Sequence, residues 1–428
     1  MDFELPYASY RRPIFGSNIV ATSQPLAAQA GLRMFLKGGN AVDAAVAAAI
    51  ALTVVEPTMN GIGSDAFALV WDGERLHGLN ASGRSPAAWT REQYSGLAEM
   101  PSTGWGAVSI PGAVSGWIEL SQAFGVLRFE DLFEPAVEYA RNGFPVSTFV
   151  AGTWAEAAKK YREFDSFVST FLPNGRAPGA GEWFTAADHA RTLTELADTF
   201  GESLYRGRLA REIARWSRET GGLLTEEDLA AHRSEWVEPL EMTFGDYVLH
   251  EIPPNSQGIA ALLALGMLRD THIGHAPPDS PEAACLAVAA MDRALQLTRA
   301  EVADPACMSG LVERLLGVSH LESEASALNA RPCEPPARRE RKNDDTVYLS
   351  TADESGMMIS LIQSNYFDFG SGLVVPGTGI SLQSRAACFS LDPGHPNVVA
   401  GGKRPFHTLC PAFVTSHGRP IMSFGVMG

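Results

Sequence analysis

The 428-residue chain is 45% hydrophobic and 19% charged, an ordinary globular composition with enough apolar material for a large core. Its formal net charge of −16, without an extended basic stripe, argues against nucleic acid or an anionic membrane as a partner. The five cysteines and ten histidines show no CxxC or zinc-like spacing, so no metal or cofactor is implied and reduced thiols are expected.

The opening MDFELPYASYRRPIFGSN mixes acids and prolines and lacks the apolar region of a secretory signal, so a cytoplasmic protein is expected. The most apolar run, residues 44–55, is too short to span a membrane. In SQPLAAQAGLRMFLKGGNAVDAAVAAAIALTVVEP, Ser23 and Pro25 suit a helix start and Gly38-Gly39 its end. Asn40 with Asp43 three residues on then resembles a capping box, opening a helix that is apolar all round and therefore buried. Pro57 ends it.

Residues 67–71 read as a buried strand, Asp72-Gly73 as a turn and 76–79 as the returning strand. The small residues of WGAVSIPGAVSGW suggest a backbone that passes close to something. From about 118 to 330 the pattern is mostly helical, with amphipathic stretches at 129–142, 188–200 and 281–300 and a strand pair near 240–252. Residues 327–345, ALNARPCEPPARRERKNDD, are dominated by proline and charge and read as an exposed, mobile segment. Then the texture turns to strands, with a hairpin in TVYLSTADESGMMISLIQS and another in PAFVTSHGRPIMSFGVMG. Strands, many helices, then strands again favour a layered α+β fold over a doubly wound one.

Several motifs fail as sites. GIGSD, residues 61–65, lacks the lysine of a phosphate loop and precedes a strand, and neither HExxH nor GxSxG occurs. The acids after Thr225 read as the first turn of a helix. His407 alone reads as a structural histidine, and Cys388 and Cys410 as small buried hydrophobes. Thr346 stands apart, because a strand starts at it directly after the proline-rich basic run. A threonine hydroxyl needs an adjacent base, and cutting the preceding peptide frees an α-amine with a pKa near ~8 to serve as one. On the residues alone both readings stay open, since a β-branched residue also simply favours a strand.

Ordered stretches over nearly the whole chain resemble the γ-glutamyltranspeptidase family of N-terminal-nucleophile hydrolases. They are GGNAVDAAVAAAIALTVVEPTMNGIGSDAFALVWDG, NASGRSPAA, IPGAVSGW, LTEEDLAAH, PPNSQGIAAL, and the run from DTVYLSTADESGMMISLIQSNYFDFGSG through LQ and FSLDP to GGKRPFHTLCPAF. The resemblance implies a four-layer αββα sandwich with a largely helical large-subunit portion. It implies a precursor that cuts itself between Asp345 and Thr346 into a large-subunit region, 1–345, and a small-subunit region, 346–428, that together make one composite domain. Thr346 would be the self-cleaving residue and the nucleophile, with Ser364 supporting it from the next strand. Substrate-binding positions of the family fall on Tyr366, on His407 and Thr408, and on Cys388. Arg84, two positions from the family's clamping arginine, would replace it.

Glutathione-type members carry an aspartate where Cys388 stands, and it pairs with the substrate's α-ammonium group. A thiol cannot supply that ion pair, and Arg385 three residues earlier repels an ammonium. A glutaryl-like acyl group therefore fits better than a γ-glutamyl one, with hydrolysis favoured over transfer. The family's oxyanion-binding Gly-Gly pair falls on Gly428, where the sequence ends, so its second glycine and the strands that usually follow are not in this sequence. The expectation is a fragment or a truncated variant. Two alternatives are a true γ-glutamyltransferase acting in glutathione metabolism, and an inactive relative serving as a binding protein. The expected partner is a small-molecule amide, and a homodimer of the processed heterodimer is one assembly the resemblance allows.

Overall fold

A computed structural model describes residues 13–277, 280–329 and 345–427. The basic-proline tail from 330 to 344 and Gly428 lie outside the described residues, as does the side chain of Asp345.

The strands in chain order are β1 (Ile19–Thr22), β2 (Asp65–Trp71), β3 (Leu76–Ala81), the short pair β4 (Phe144–Pro145) and β5 (Trp183–Phe184), β6 (Glu235–Val237), β7 (Leu240–Phe244), β8 (Tyr247–Glu251), β9 (Asp345–Ala352), β10 (Met358–Tyr366), β11 (Pro411–Ser416) and β12 (Arg419–Gly425). Among the described residues they form a six-stranded sheet, β1-β9-β10-β2-β3-β6, and a four-stranded sheet, β12-β11-β8-β7. Every pairing within the two sheets is antiparallel. β9 and β10, from the far end of the chain, thus sit between β1 and β2 from its beginning.

The two-residue period of the strands sorts their side chains into layers. Phe67, Leu69, Trp71 and Ile362 of the larger sheet meet Ile252, Leu409 and Phe413 of the smaller one, making the apolar seam between the sheets. On the outer face Ala66, Ala68, Val70, Val347, Leu349, Ile359 and Leu361 pack against helices α1 (Pro25–Leu36) and α2 (Ala41–Val55). The helix Ile259–Arg269 covers the outer side of the smaller sheet, and the helix Pro281–Glu301 packs on it in turn. The order of layers is αββα, as the resemblance implies.

α2 is buried at every position, and small alanines let it lie close to the sheet. Asn40 and Asp43 close its expected capping box, worth about 1 kcal/mol. The start of α1 differs from the sequence reading. Gln24, not Ser23, caps that helix through its side-chain oxygen, because the Ser23 hydroxyl instead donates to the buried Glu56 carboxylate at 2.6 Å. Cys285 is disulfide-bonded, which corrects the expectation of reduced thiols throughout, whereas Cys307 and Cys410 are free thiols. No helix among the described residues is long and apolar enough to cross a membrane.

Candidate active site

The site forms where β9 and β2 begin and β10 ends, beside the loop that enters β11. Thr346 is the second residue of β9, and its hydroxyl donates to Ser364 Oγ on neighbouring β10 at 3.1 Å. Ser364 is fully buried and also accepts the Tyr366 N–H at 2.8 Å. A fixed acceptor on the adjacent strand holds the threonine hydroxyl in one rotamer, which a nucleophile requires.

The register of β9 and β10 slips between Gln363 and Tyr366, and Tyr366 lies at φ 79, in the left-handed region a non-glycine residue seldom occupies. The slip turns the tyrosine ring under Arg385, whose guanidinium carbon lies 4.4 Å from the ring centre. Arg385 belongs to a 3₁₀ turn, Arg385–Cys388, and is completely buried. Its Nη1 donates to Thr408 Oγ1 at 2.8 Å. Its Nε and Nη2 are buried without a hydrogen-bond partner among the described residues. These two groups form one edge of the guanidinium, the fork that grips a carboxylate with two parallel hydrogen bonds. An uncompensated polar pair in a protein interior is costly, so such a fork marks a receptor for an anion rather than packing.

His407, next to Thr408, is fully buried and its Nε2 lies 3.2 Å from Asp65 Oδ2. The Leu409 N–H points at His407 Nδ1 at 3.4 Å, which makes Nδ1 the acceptor and Nε2 the N–H bearing nitrogen. Burial, with Arg385 adding to it, holds the imidazole pKa well below its usual value, so the ring is neutral. Asp65 opens β2 directly opposite Ser364. Its Oδ1 accepts the N–H groups of Gly83 at 3.0 Å and Gly112 at 3.2 Å, and Gln383 also bonds to the carboxylate. Burial pushes the Asp65 pKa up to about 7, against the pull of Arg385 and these donors. The contacts close into a ring running Thr346, Ser364, Tyr366, Arg385, Thr408, His407, Asp65 and back to Ser364.

Of the residues singled out in the sequence, Thr346, Ser364, Tyr366, Arg385, His407 and Thr408 come together here. Arg84 turns away: its guanidinium binds Asp304 at 2.8 Å and Glu235 at 3.5 Å, an ion cluster shared with Arg404. Cys388 packs against the apolar cluster under the smaller sheet, and its carbonyl accepts Asn397. Asp345 lends its backbone to β9 opposite Tyr366. Asp65 was not singled out, although it is the one acid opening the otherwise apolar run DAFALVW. Among the described residues no group of three or more His, Cys, Asp or Glu side chains is arranged to hold a metal ion.

Comparison with known proteins fits this geometry. The sequence profile of the γ-glutamyltranspeptidase family matches residues 27–428. The chain is 36% identical to the glutathione hydrolase-like YwrD proenzyme of Bacillus subtilis, covering 96% of this chain and 78% of that protein. It is also 36% identical to the oxamate amidohydrolase proenzyme of Klebsiella pneumoniae, covering 94% and 77%. The crystal structure of cephalosporin acylase from Bacillus halodurans superposes with a TM-score of 0.91 at 44% identity, over 100% of this chain and 80% of that one.

Proposed function

Because the chain belongs to the γ-glutamyltranspeptidase family, and so is an enzyme from a family of self-processing amidohydrolases and acylases, we propose that it cuts itself between Asp345 and Thr346 and then uses Thr346 to hydrolyse an amide whose acyl group ends in a carboxylate, glutaryl-like rather than γ-glutamyl. The observation that carries the proposal is the Nε and Nη2 edge of buried Arg385, which has no hydrogen-bond partner among the described residues and is joined through Tyr366 and Ser364 to the Thr346 hydroxyl.

In the processing step Thr346 Oγ attacks the Asp345 carbonyl carbon, the C–N bond breaks, and an ester to Oγ replaces it. Water then hydrolyses the ester, leaving a carboxyl on Asp345 and an amine on Thr346. In turnover the same oxygen adds to the substrate carbonyl, the amine takes the hydroxyl proton and passes it to the leaving amine, and water releases the acid. Both subunits would stay interleaved, since β9 and β10 lie between β1 and β2.

The case against a γ-glutamyl group rests on counting acceptors. The acid in this network is Asp65, and its carboxylate already receives Gly83, Gly112, His407 and Gln383. Two oxygens offer about four acceptor positions, so none is left for an α-ammonium group. The similarity to a protein named glutathione hydrolase-like supports the rival γ-glutamyl reading.

Purified protein should resolve into two fragments on a denaturing gel, the smaller beginning at Thr346, while Thr346→Ala stays whole. A wild type that never splits refutes the processing step. Glutaryl-p-nitroanilide should be turned over faster than γ-glutamyl-p-nitroanilide, and equal turnover would favour the rival.

A further inference from the structure

Arg385 is buried, and its Nε and Nη2 have no hydrogen-bond partner among the described residues. A carboxylate of the protein would meet the charge by closing that edge, whereas an aromatic ring meets it on the face and leaves the edge clear. The Tyr366 ring does the latter, with its centre 4.4 Å from the guanidinium carbon. The backbone that delivers this ring is strained. Tyr366 at φ 79 and Asp368 at φ 31 are both non-glycine residues in the left-handed region, two positions apart. Such residues persist only where their surroundings over-determine them. Here the surroundings come from the end of the helix Thr148–Lys160, in the 1–345 region. Lys160 Nζ lies 3.0 Å from Asp368 Oδ2 and 5.1 Å from the centre of the Phe367 ring. The next residue, Tyr161, donates its hydroxyl to the Gly370 carbonyl at 2.8 Å. The Phe367 ring in turn lies 4.1 Å from the Tyr366 ring, centre to centre, tilted by 46°. A run of contacts therefore leads from an exposed ammonium through two half-buried aromatic rings to the buried guanidinium. Ring pairs and cation–ring pairs are directional, so this run fixes where the Tyr366 ring stands, while Ser364 holds the N–H of the same residue.

We propose that Phe367, clamped by Lys160, is a positioning residue that sets specificity: it holds the Tyr366 ring on the face of Arg385 and so keeps the guanidinium edge fixed and free for the carboxylate of the acyl group. Without the Phe367 ring the Tyr366 side chain turns off the guanidinium, and Arg385 loses the ring that meets its charge, keeping the Thr408 hydroxyl on Nη1. An acyl group that carries no charge makes no use of the fork, so its binding does not depend on Phe367. The Thr346–Ser364 contact does not pass through Phe367 or Lys160, and the chemical step is spared.

The inference rests on the carboxylate-acyl reading above. The test compares KM and kcat for glutaryl-p-nitroanilide and butyryl-p-nitroanilide in wild type, Phe367→Leu, Phe367→Tyr and Lys160→Met. In Phe367→Leu the glutaryl-to-butyryl KM ratio should rise roughly tenfold, with kcat for both substrates nearly unchanged. Phe367→Tyr keeps a ring against Tyr366 and should restore the wild-type ratio. Lys160→Met keeps the length of the side chain and removes its charge, and should raise the ratio roughly threefold. A merely structural Phe367 would move both KM values together, or lower kcat for both substrates, and leave the ratio unmoved. That result overturns the inference alone, as does a Phe367→Tyr ratio no better than that of Phe367→Leu. A wild type with no preference for the glutaryl substrate overturns the carboxylate-acyl reading and the inference with it. If Phe367→Leu does not fold, Lys160→Met decides, because Lys160 is exposed: an unchanged ratio refutes the proposal and a raised one supports it.

Discussion

A buried guanidinium with two N–H groups unmet among the described residues makes a sharp statement about substrate at the scale of a single residue. Lysine at that position keeps the charge but has no planar fork, so the exchange is not conservative. Arg385→Lys should lower kcat/KM for the glutaryl substrate by roughly a hundredfold, mainly through KM, and change butyryl turnover little. Unchanged glutaryl kinetics in Arg385→Lys would take the carboxylate out of the reading. The residues of this network differed in how far sequence could find them. Thr346 and Ser364 follow from a hydroxyl residue at a strand start and its place in ordered motifs. Arg385 stood out because it lies three residues before Cys388, which stands where glutathione-type members carry an amine-binding aspartate. Asp65 stayed hidden, because an acid next to a turn looks solvated until the fold shows β10, two glycine loops and His407 converging on it. Arg84 misled for the converse reason: its acidic partners Asp304 and Glu235 are distant in sequence, and only the fold brings them to it.

At the scale of elements, the site depends on how closely backbone segments approach. The glycine-rich loop before α3 (Ala113–Phe124) reads in the sequence as a close passage, and Gly112 is where it happens. Its N–H serves both the Ser64 carbonyl, at 2.9 Å, and Asp65 Oδ1. Gly112→Ala would press a methyl group against the Ala81 carbonyl and shift the start of α3. A loss of about 3 kcal/mol is expected, seen as a lower Tm, together with a raised KM for the glutaryl substrate. Gly152, in the helix Thr148–Lys160, is the control: a Cβ there meets nothing within 4 Å. Gly152→Ala should be neutral or stabilising by up to ~1 kcal/mol. Equal Tm values for the two variants would show that the tight passage at 112 does not constrain the fold. The hairpins were legible because their alternation and turns are local. The position of β9 and β10 between β1 and β2 was not, because strand order is set by long-range pairing that local pattern does not encode.

For the whole molecule, buried carboxyls make stability depend on pH in a direction that can be worked out. Glu56, at the end of α2, is 2% exposed, and burial pushes its pKa up to about 7 despite the Ser23 hydroxyl. Glu251, buried where β8 meets β11, is shifted the same way by burial, and its Oε2 has no partner among the described residues. An acid with a raised folded pKa keeps its proton in the native state after the unfolded chain has released it. Stability is then highest below the unfolded value of about 4.5, falls as pH rises toward about 7, and is flat above that. Glutamine at position 56 keeps an acceptor for Ser23 and removes the ionisation. Glu56→Gln should therefore match wild type near pH 4.5 and exceed it at pH 8 by up to roughly 3 kcal/mol. Thermal denaturation at the two pH values reads this directly, as a smaller fall in Tm for the variant. Part of the fall should persist in Glu56→Gln, since Glu251 and Asp65 still titrate. A variant whose Tm tracks wild type at both pH values would show that Glu56 reaches solvent or a further donor, and that burial at this end of α2 does not hold its proton.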